Sequence, residues 1–240
     1  NWSQALTNCD CVIHCAGIAN IIKGSDRNNL RTYQKVNVEG TKKLANESVS
    51  AGVRRLIFLS SIKVNGESTD NFFSTQSEKK NVTIFSHDDI PAPENNYALS
   101  KLEAEKVLLD ISEKTGLEIV ILRLPLVYGF GVKGNIARLQ KIVRLGIPLP
   151  FRMIKNKRSF IGINNLIDLI SCCINHPNAN RKTFLASDGE DISTPDLLNL
   201  ISSSMKRSLY LFSVPVFLLK IVSCIFGKKN EMRRLTNSLQ

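Results

Sequence analysis

Three near-continuous apolar runs constrain this chain more than any other feature. They occupy residues 9–16 (CDCVIHCA), 54–61 (RRLIFLSS) and 117–124 (LEIVILRL). A strand with one wet face alternates apolar and polar residues, whereas a strand that is apolar throughout is covered on both faces. Helical patterns separate the runs. Residues 34–51 carry Val38, Leu44, Ala45 and Val49 near helical spacing, and Gly52 follows as a stop. Residues 97–114 set Leu99, Leu102, Val107, Leu108 and Ile111 on one face, with Gly116 beyond the end. Buried strands alternating with helices predict a parallel sheet. The right-handed crossover then makes it a doubly wound, Rossmann-like α/β fold.

The pattern changes after Gly129. Residues 1–128 are expected to form a partial doubly wound domain. Residues 129–240 are expected to form a smaller mixed α/β region, interleaved with the sheet. Helices are predicted at 135–145 and 165–174, and short strands at 158–163 and 183–186. Thr194-Pro195-Asp196 reads as a helix start, with Thr194 as N-cap and Pro195 at the first helical position. Residues 67–95 are polar and read as a long loop. Residues 209–226 are strongly apolar, but Pro215 and Lys220 interrupt them, and a membrane span needs roughly 20 apolar residues. A buried or interfacial helix is predicted there, with no transmembrane span.

With 32 Lys+Arg against 21 Asp+Glu, the net charge is +11, which favours an anionic partner. The basic residues are dispersed, and no basic segment is interleaved with aromatics, so nucleic acid is not the expected partner. The six cysteines show no C-x-x-C spacing. They predict reduced core residues of a cytoplasmic protein, with neither disulfides nor a metal site.

Three features could carry chemistry. In Tyr97-Ala98-Leu99-Ser100-Lys101 the Tyr and Lys lie one helical turn apart on one face. A nearby ammonium stabilises phenolate, which suits proton exchange during alcohol–ketone interconversion. The pattern alone is common by chance. Ser60 and Ser61 end an apolar strand, where ligands of open α/β sheets bind. A hydroxyl there can donate to a reacting oxygen. Gly129-Phe130-Gly131-Val132-Lys133-Gly134 matches G-x-G-x-x-G. However, no acid follows until Asp168, and the match comes after several strand–helix units. A tight loop on the sugar side is the better expectation than a phosphate loop.

Taken in order, HCAG (14–17), LSS (59–61), YALSK (97–101) and RLPLVYG (123–129) resemble the extended short-chain dehydrogenase/reductase superfamily. The resemblance is to its NAD-dependent epimerase/dehydratase branch, which acts on nucleotide sugars, and it covers nearly the whole chain. It implies a catalytic triad of Ser61, Tyr97 and Lys101. Tyr97 would be the acid/base at a sugar hydroxyl, and Ser61 would orient the reacting oxygen. Lys101 would bind the nicotinamide ribose and lower the Tyr97 pKa. Cys15, Ala16, Gly17, Asn37, Ser60 and Pro125 would line NAD or NADP, together with Tyr97 and Lys101. Lys63, Asn135 and Arg158 would hold the substrate, with Arg158 on the diphosphate. A homodimer is compatible with the resemblance.

Three departures shape the expected activity. The Gly-rich loop that opens such folds does not occur in these 240 residues. The resemblance implies that roughly 50–60 residues of a typical cofactor domain lie outside them, including the residue that selects NAD or NADP. Val64-Asn65-Gly66 stands where the family often has V-Y-G. Ile62-Lys63 follows Ser61, where 4,6-dehydratases carry an Asp-Glu pair, so dehydration is disfavoured. Hydride transfer at C4 of a UDP-sugar remains. NYALSKLEAEKVLL, PLVYGFGVKGN and SVPVFLLKIV look like 4-keto-6-deoxy-N-acetylhexosamine reductases of surface-polysaccharide synthesis, and give that activity a slight preference. The alternatives are a UDP-glucose or UDP-N-acetylglucosamine 4-epimerase and a non-catalytic dinucleotide-binding regulator.

Overall fold

The structure is a computed structural model, and it describes residues 2–19, 26–70, 84–132 and 134–240. Four strands form one sheet: β1 (Cys11–His14), β2 (Arg55–Ser61), β3 (Glu118–Leu124) and β6 (Lys182–Leu185). They lie in the order β1-β2-β3-β6, with every pair parallel. Between β1 and β2 run α1 (Asp26–Tyr33), a π-helical turn (Gln34–Glu39) and α2 (Gly40–Ser50). Between β2 and β3 comes α3 (Asn96–Thr115). The chain then enters β4 (Leu126–Tyr128), α4 (Asn135–Arg144), β5 (Phe160–Gly162) and α5 (Ile163–Asn175). The last helices are α6 (Thr194–Ser204), α7 (Val216–Ile225) and α8 (Lys229–Thr236).

Two compact units emerge. The first comprises residues 1–67, 86–125 and 164–186, and the second comprises 68–85, 126–163 and 187–240. The four-stranded sheet lies wholly in the first. Leu56, Ile57 and Phe58 of β2, and Ile119, Val120 and Leu122 of β3, are fully buried, as apolar runs covered on both faces must be. Ala45 of α2 and Ala104, Leu108 and Ile111 of α3 pack with Leu56, Phe58 and Ile119 in one core. Arg54 and Arg55, a mere basic pair in the sequence, have a structural task. Arg55, almost fully buried, donates to the carbonyls of Cys173, Ile174 and His176 at the end of α5, and to Glu118 at 2.7 Å. A guanidinium there satisfies carbonyls that have no intrahelical partner.

The second unit has its own core, in which Leu139 and Val143 of α4 meet Leu198 and Ile201 of α6 and Leu219 of α7. Its two-stranded sheet pairs β4 with β5 in parallel.

Several expectations need correction. β1 is shorter than its apolar run and only partly covered, with Ile13 42% exposed. The cysteines are consequently not core residues as a group. Cys173 alone of the six is buried, Cys15, Cys172 and Cys224 are exposed, and all six are free thiols. The N-cap of α6 is Ser193, whose hydroxyl accepts from the Asp196 N–H, so Thr194 is the first helical residue. The predicted helix 34–51 contains the π-helical turn at its start. Residues 71–83 of the loop read at 67–95 fall outside the described residues. Among the described residues, no helix is long and apolar enough to cross a membrane.

Candidate functional site

Local sequence at the carboxyl ends of β1 and β2 builds the site. Asn95 caps α3, its side-chain oxygen accepting from the Ala98 N–H at 2.9 Å. Gly116 ends the helix in the left-handed conformation. The cap places Tyr97 in the first turn and Lys101 one turn later. Ser61 sits at the last position of β2. Its hydroxyl hydrogen-bonds the Tyr97 phenol oxygen and accepts from the Lys63 N–H at 3.3 Å. Tyr33 packs against Tyr97, with ring centroids 6.2 Å apart.

Lys101 is almost fully buried. Its ammonium donates to the Leu59 carbonyl at 2.8 Å and sits 4.4 Å over the Phe58 ring. Burial pushes its pKa down to about 8, against the opposing pull of Glu105 and Cys15. Burial also raises the Tyr97 phenol, while the hydrogen bond from Ser61 works to lower it. The geometry therefore keeps Tyr97 protonated.

Asn37 joins the β1 loop to α3. Its side-chain oxygen accepts from the Ile18 N–H at 2.8 Å, and its amide donates to the Ile18 carbonyl and to Ser100 Oγ, each at 3.0 Å. Ser100 in turn donates to the Tyr97 carbonyl. Asn37 is held in the π-helical turn, a geometry often found at functional positions. Thr41, one turn on, donates to the Asn37 carbonyl and meets His14 Nε2 at 2.8 Å. Burial, and then the charge of Lys101, depress His14 to a pKa of about 4, so it is neutral.

A second network lies under the site. Ser60 donates to Glu105, and Arg123 forms an ion pair with the same carboxylate at 2.7 Å. Arg123 also donates to Asn65 Oδ1 at 3.0 Å, and Asn65 donates to the Ser86 carbonyl at 2.9 Å. All four side chains are buried. Asn65, which replaces the familiar Tyr of V-Y-G, thus serves as an acceptor for a buried guanidinium. Sequence reasoning missed Glu105, Arg123 and this role of Asn65. An arginine inside the run LEIVILRL was the available signal, since a buried charge demands a partner.

The structure brings together Ser61, Tyr97, Lys101, Asn37 and Gly17. Ser60 points away from them, into the Glu105 network. Cys15, Ala16 and Gly17 form an exposed loop just past β1. A side chain at Gly17 would put its Cβ 3.2 Å from Asn37 Oδ1 and 3.5 Å from Lys101 Nζ. The loop therefore offers bare backbone beside a buried ammonium and the Asn37 amide, which fits the nicotinamide-ribose end of NAD(P). Pro125 follows β3, half-buried. Lys63 is ion-paired with Glu67 at 2.7 Å.

The other expected substrate residues belong to the second unit. Asn135 is the first residue of α4. Arg158 bridges Ile192 and Leu239, and its guanidinium donates to the Arg234 carbonyl at 2.9 Å and the Asn237 carbonyl at 3.3 Å. The glycine loop connects β4 to α4. Gly129 has φ 147°, and a Cβ there would meet Ile163 Cγ2 at 2.5 Å, so glycine is required sterically. Lys133 of that loop lies outside the described residues.

Residues 1–186 match the model of the NAD dependent epimerase/dehydratase family. The chain belongs to that family. Its members depend on NAD(P), so an enzyme is the correct class. A UDP-glucose 4-epimerase of Vibrio cholerae is 42% identical over all of this chain and 70% of its own length. An N-acetyl-α-D-glucosaminyl-diphospho-ditrans,octacis-undecaprenol 4-epimerase of Escherichia coli O157:H7 is 25% identical, over 82% of this chain and 58% of its own. A UDP-glucuronic acid 4-epimerase of Bacillus cereus, solved with NAD, superimposes with a TM-score of 0.71 at 20% identity. That superposition covers 89% of this chain and 65% of the other, and shows the shared fold.

Proposed function

We propose that the protein is an NAD(P)-dependent nucleotide-sugar enzyme acting at C4 of a UDP-sugar, with 4-epimerisation as its activity. The observation that carries the chemistry is the hydroxyl pair of Ser61 and Tyr97 at the end of β2, one helical turn from Lys101. Tyr97 exchanges a proton with the C4 oxygen: its phenolate, the form that the hydrogen bond from Ser61 favours, receives that proton when the alcohol is oxidised, and its phenol returns it when the ketone is reduced. Ser61, already bonded to Tyr97, orients the C4 oxygen and stabilises its developing charge. Lys101, fixed by Leu59, faces the ribose side of the Gly17 loop. NAD(P), when bound, supplies the two-electron acceptor and donor for C4. Asn37 holds the loop and the first turn of α3 in register. Asn135 and Arg158 are assigned to the substrate.

The V. cholerae relative supports the epimerase at least as well as the 4-keto reductase that the sequence slightly preferred. The reductase remains the second reading. A dTDP-4-dehydro-6-deoxyglucose reductase of E. coli is 28% identical over 57% of the chain. Incubating the full-length protein with UDP-glucose and UDP-N-acetylglucosamine, and resolving the C4 epimers by NMR, tests the choice. Interconversion without net consumption of reduced cofactor is expected. Turnover only of a 4-keto sugar, with stoichiometric oxidation of NAD(P)H, would replace the epimerase by the reductase.

A further inference from the structure

Helix α7 is amphipathic the wrong way round for a helix of a water-facing surface. Leu219 and Ser223, four residues apart, are its buried positions. Phe217, Leu218, Ile221, Val222 and Ile225 fall at i, i+1, i+4, i+5 and i+8, on a different face. They are 62%, 41%, 53%, 51% and 76% exposed, and Phe226 just beyond is 73% exposed. A contiguous stripe of this kind marks an interaction surface rather than scattered exposed residues.

Charge identifies the occupant. Across residues 216–236 the basic residues are Lys220, Lys228, Lys229, Arg233 and Arg234, all exposed, against the single acid Glu231, a local balance of +4. We propose that α7, with the basic start and end of α8, docks the protein on an anionic membrane surface. The aromatic and aliphatic stripe would enter the headgroup boundary, and the flanking Lys and Arg side chains would face lipid phosphates. A second copy fits less well. A two-fold contact through α7 sets the same patch against itself, bringing like charges together. The inference does not depend on the proposed activity.

Co-sedimentation of the full-length protein with vesicles tests it. Equal parts phosphatidylglycerol and phosphatidylcholine are compared with phosphatidylcholine alone. Wild type is expected to sediment with the anionic vesicles only, and to be released by high salt. Each basic residue near such a surface contributes about fivefold. The variant K228E/K229E should therefore lose more than about tenfold in partitioning. The variant F217E/I225E should lose binding while keeping its melting temperature and its rate on a soluble UDP-sugar. Should F217E/I225E fail to fold, the charge variant decides alone, because its residues lie outside the core. Wild type remaining in the supernatant, or equal binding to both vesicles, would overturn the proposal. So would a drop in protomer number for F217E/I225E by light scattering, which would assign the face to a second copy.

Discussion

Helices α3 and α7 break the rule of apolar inside and polar outside in opposite directions. α3 buries Ser100, Lys101, Glu105 and Ser112, each at most 5% exposed. α7 exposes Phe217, Leu218, Ile221, Val222 and Ile225. The difference lies in what answers each violation. The polar groups of α3 meet partners within the chain: Ser100 meets Asn37, Lys101 meets Leu59, and Glu105 meets Ser60 and Arg123. Among the described residues, the apolar stripe of α7 is not part of the second unit's core. Inverted patterning inside, fully partnered, frames the proposed reactive site, whereas inverted patterning outside marks the proposed docking surface.

The comparison makes graded predictions. Glu105→Ala should have the largest effect on stability, about 3–5 kcal/mol, because it leaves the buried Arg123 guanidinium uncompensated. Urea denaturation reads it, and adding Arg123→Met should recover much of the loss. A loss below about 1 kcal/mol would mean that the network is not the internal answer to α3.

Asn37→Ala should cost about 2–3 kcal/mol, since it strands the Ile18 backbone groups and Ser100. It should also weaken NAD(H) binding, measurable by calorimetry on the full-length protein. Unchanged affinity would detach the Gly17 loop from the cofactor.

Lys101 gives a smaller, pH-dependent signature. Its folded pKa is pushed down from 10.5 to about 8, so between those values the unfolded chain binds more protons than the folded one. Stability should therefore rise with pH across that window, and the cost of burying the ammonium is fully present below about 8. Tyr97, raised in the fold, acts with the opposite sign above its ordinary value of 10.0. The difference between wild type and Lys101→Met isolates the lysine. A flat difference curve from pH 7 to 10 would contradict its burial.

Ile221→Gln should do least, within about 0.5 kcal/mol, as for exposed surface positions generally. A loss of 2 kcal/mol or more would show that α7 is packed rather than presented.

Much of this contrast was legible in the sequence, and the gaps have physical reasons. The runs at 54–61 and 117–124 announced buried parallel strands, and β2 and β3 begin one residue later than the runs do. Tyr97, Lys101 and Ser61 were readable because spacing on a helix and position at a strand end are local properties. The partners of Arg123 were not, because Glu105 is 18 residues away and Asn65 is 58 away, and only the fold joins them. The apparent run at 9–16 overstated β1, since hydropathy cannot report which face is covered. For residues 209–226 hydropathy predicted an interfacial or buried helix without saying which face is covered, and the structure exposes Phe217 and Ile225 while burying Leu219.

Tyr97 is proposed to move the proton at C4. The direct measurement compares wild type and Tyr97→Phe in the full-length protein, following C4 inversion of the UDP-sugar under single-turnover conditions with NAD(H) affinity measured alongside. Removing a positioned acid/base costs about 10²–10⁴-fold. A rate loss in that range is expected, with cofactor affinity retained. A Tyr97→Phe enzyme that inverts C4 at the wild-type rate would contradict it.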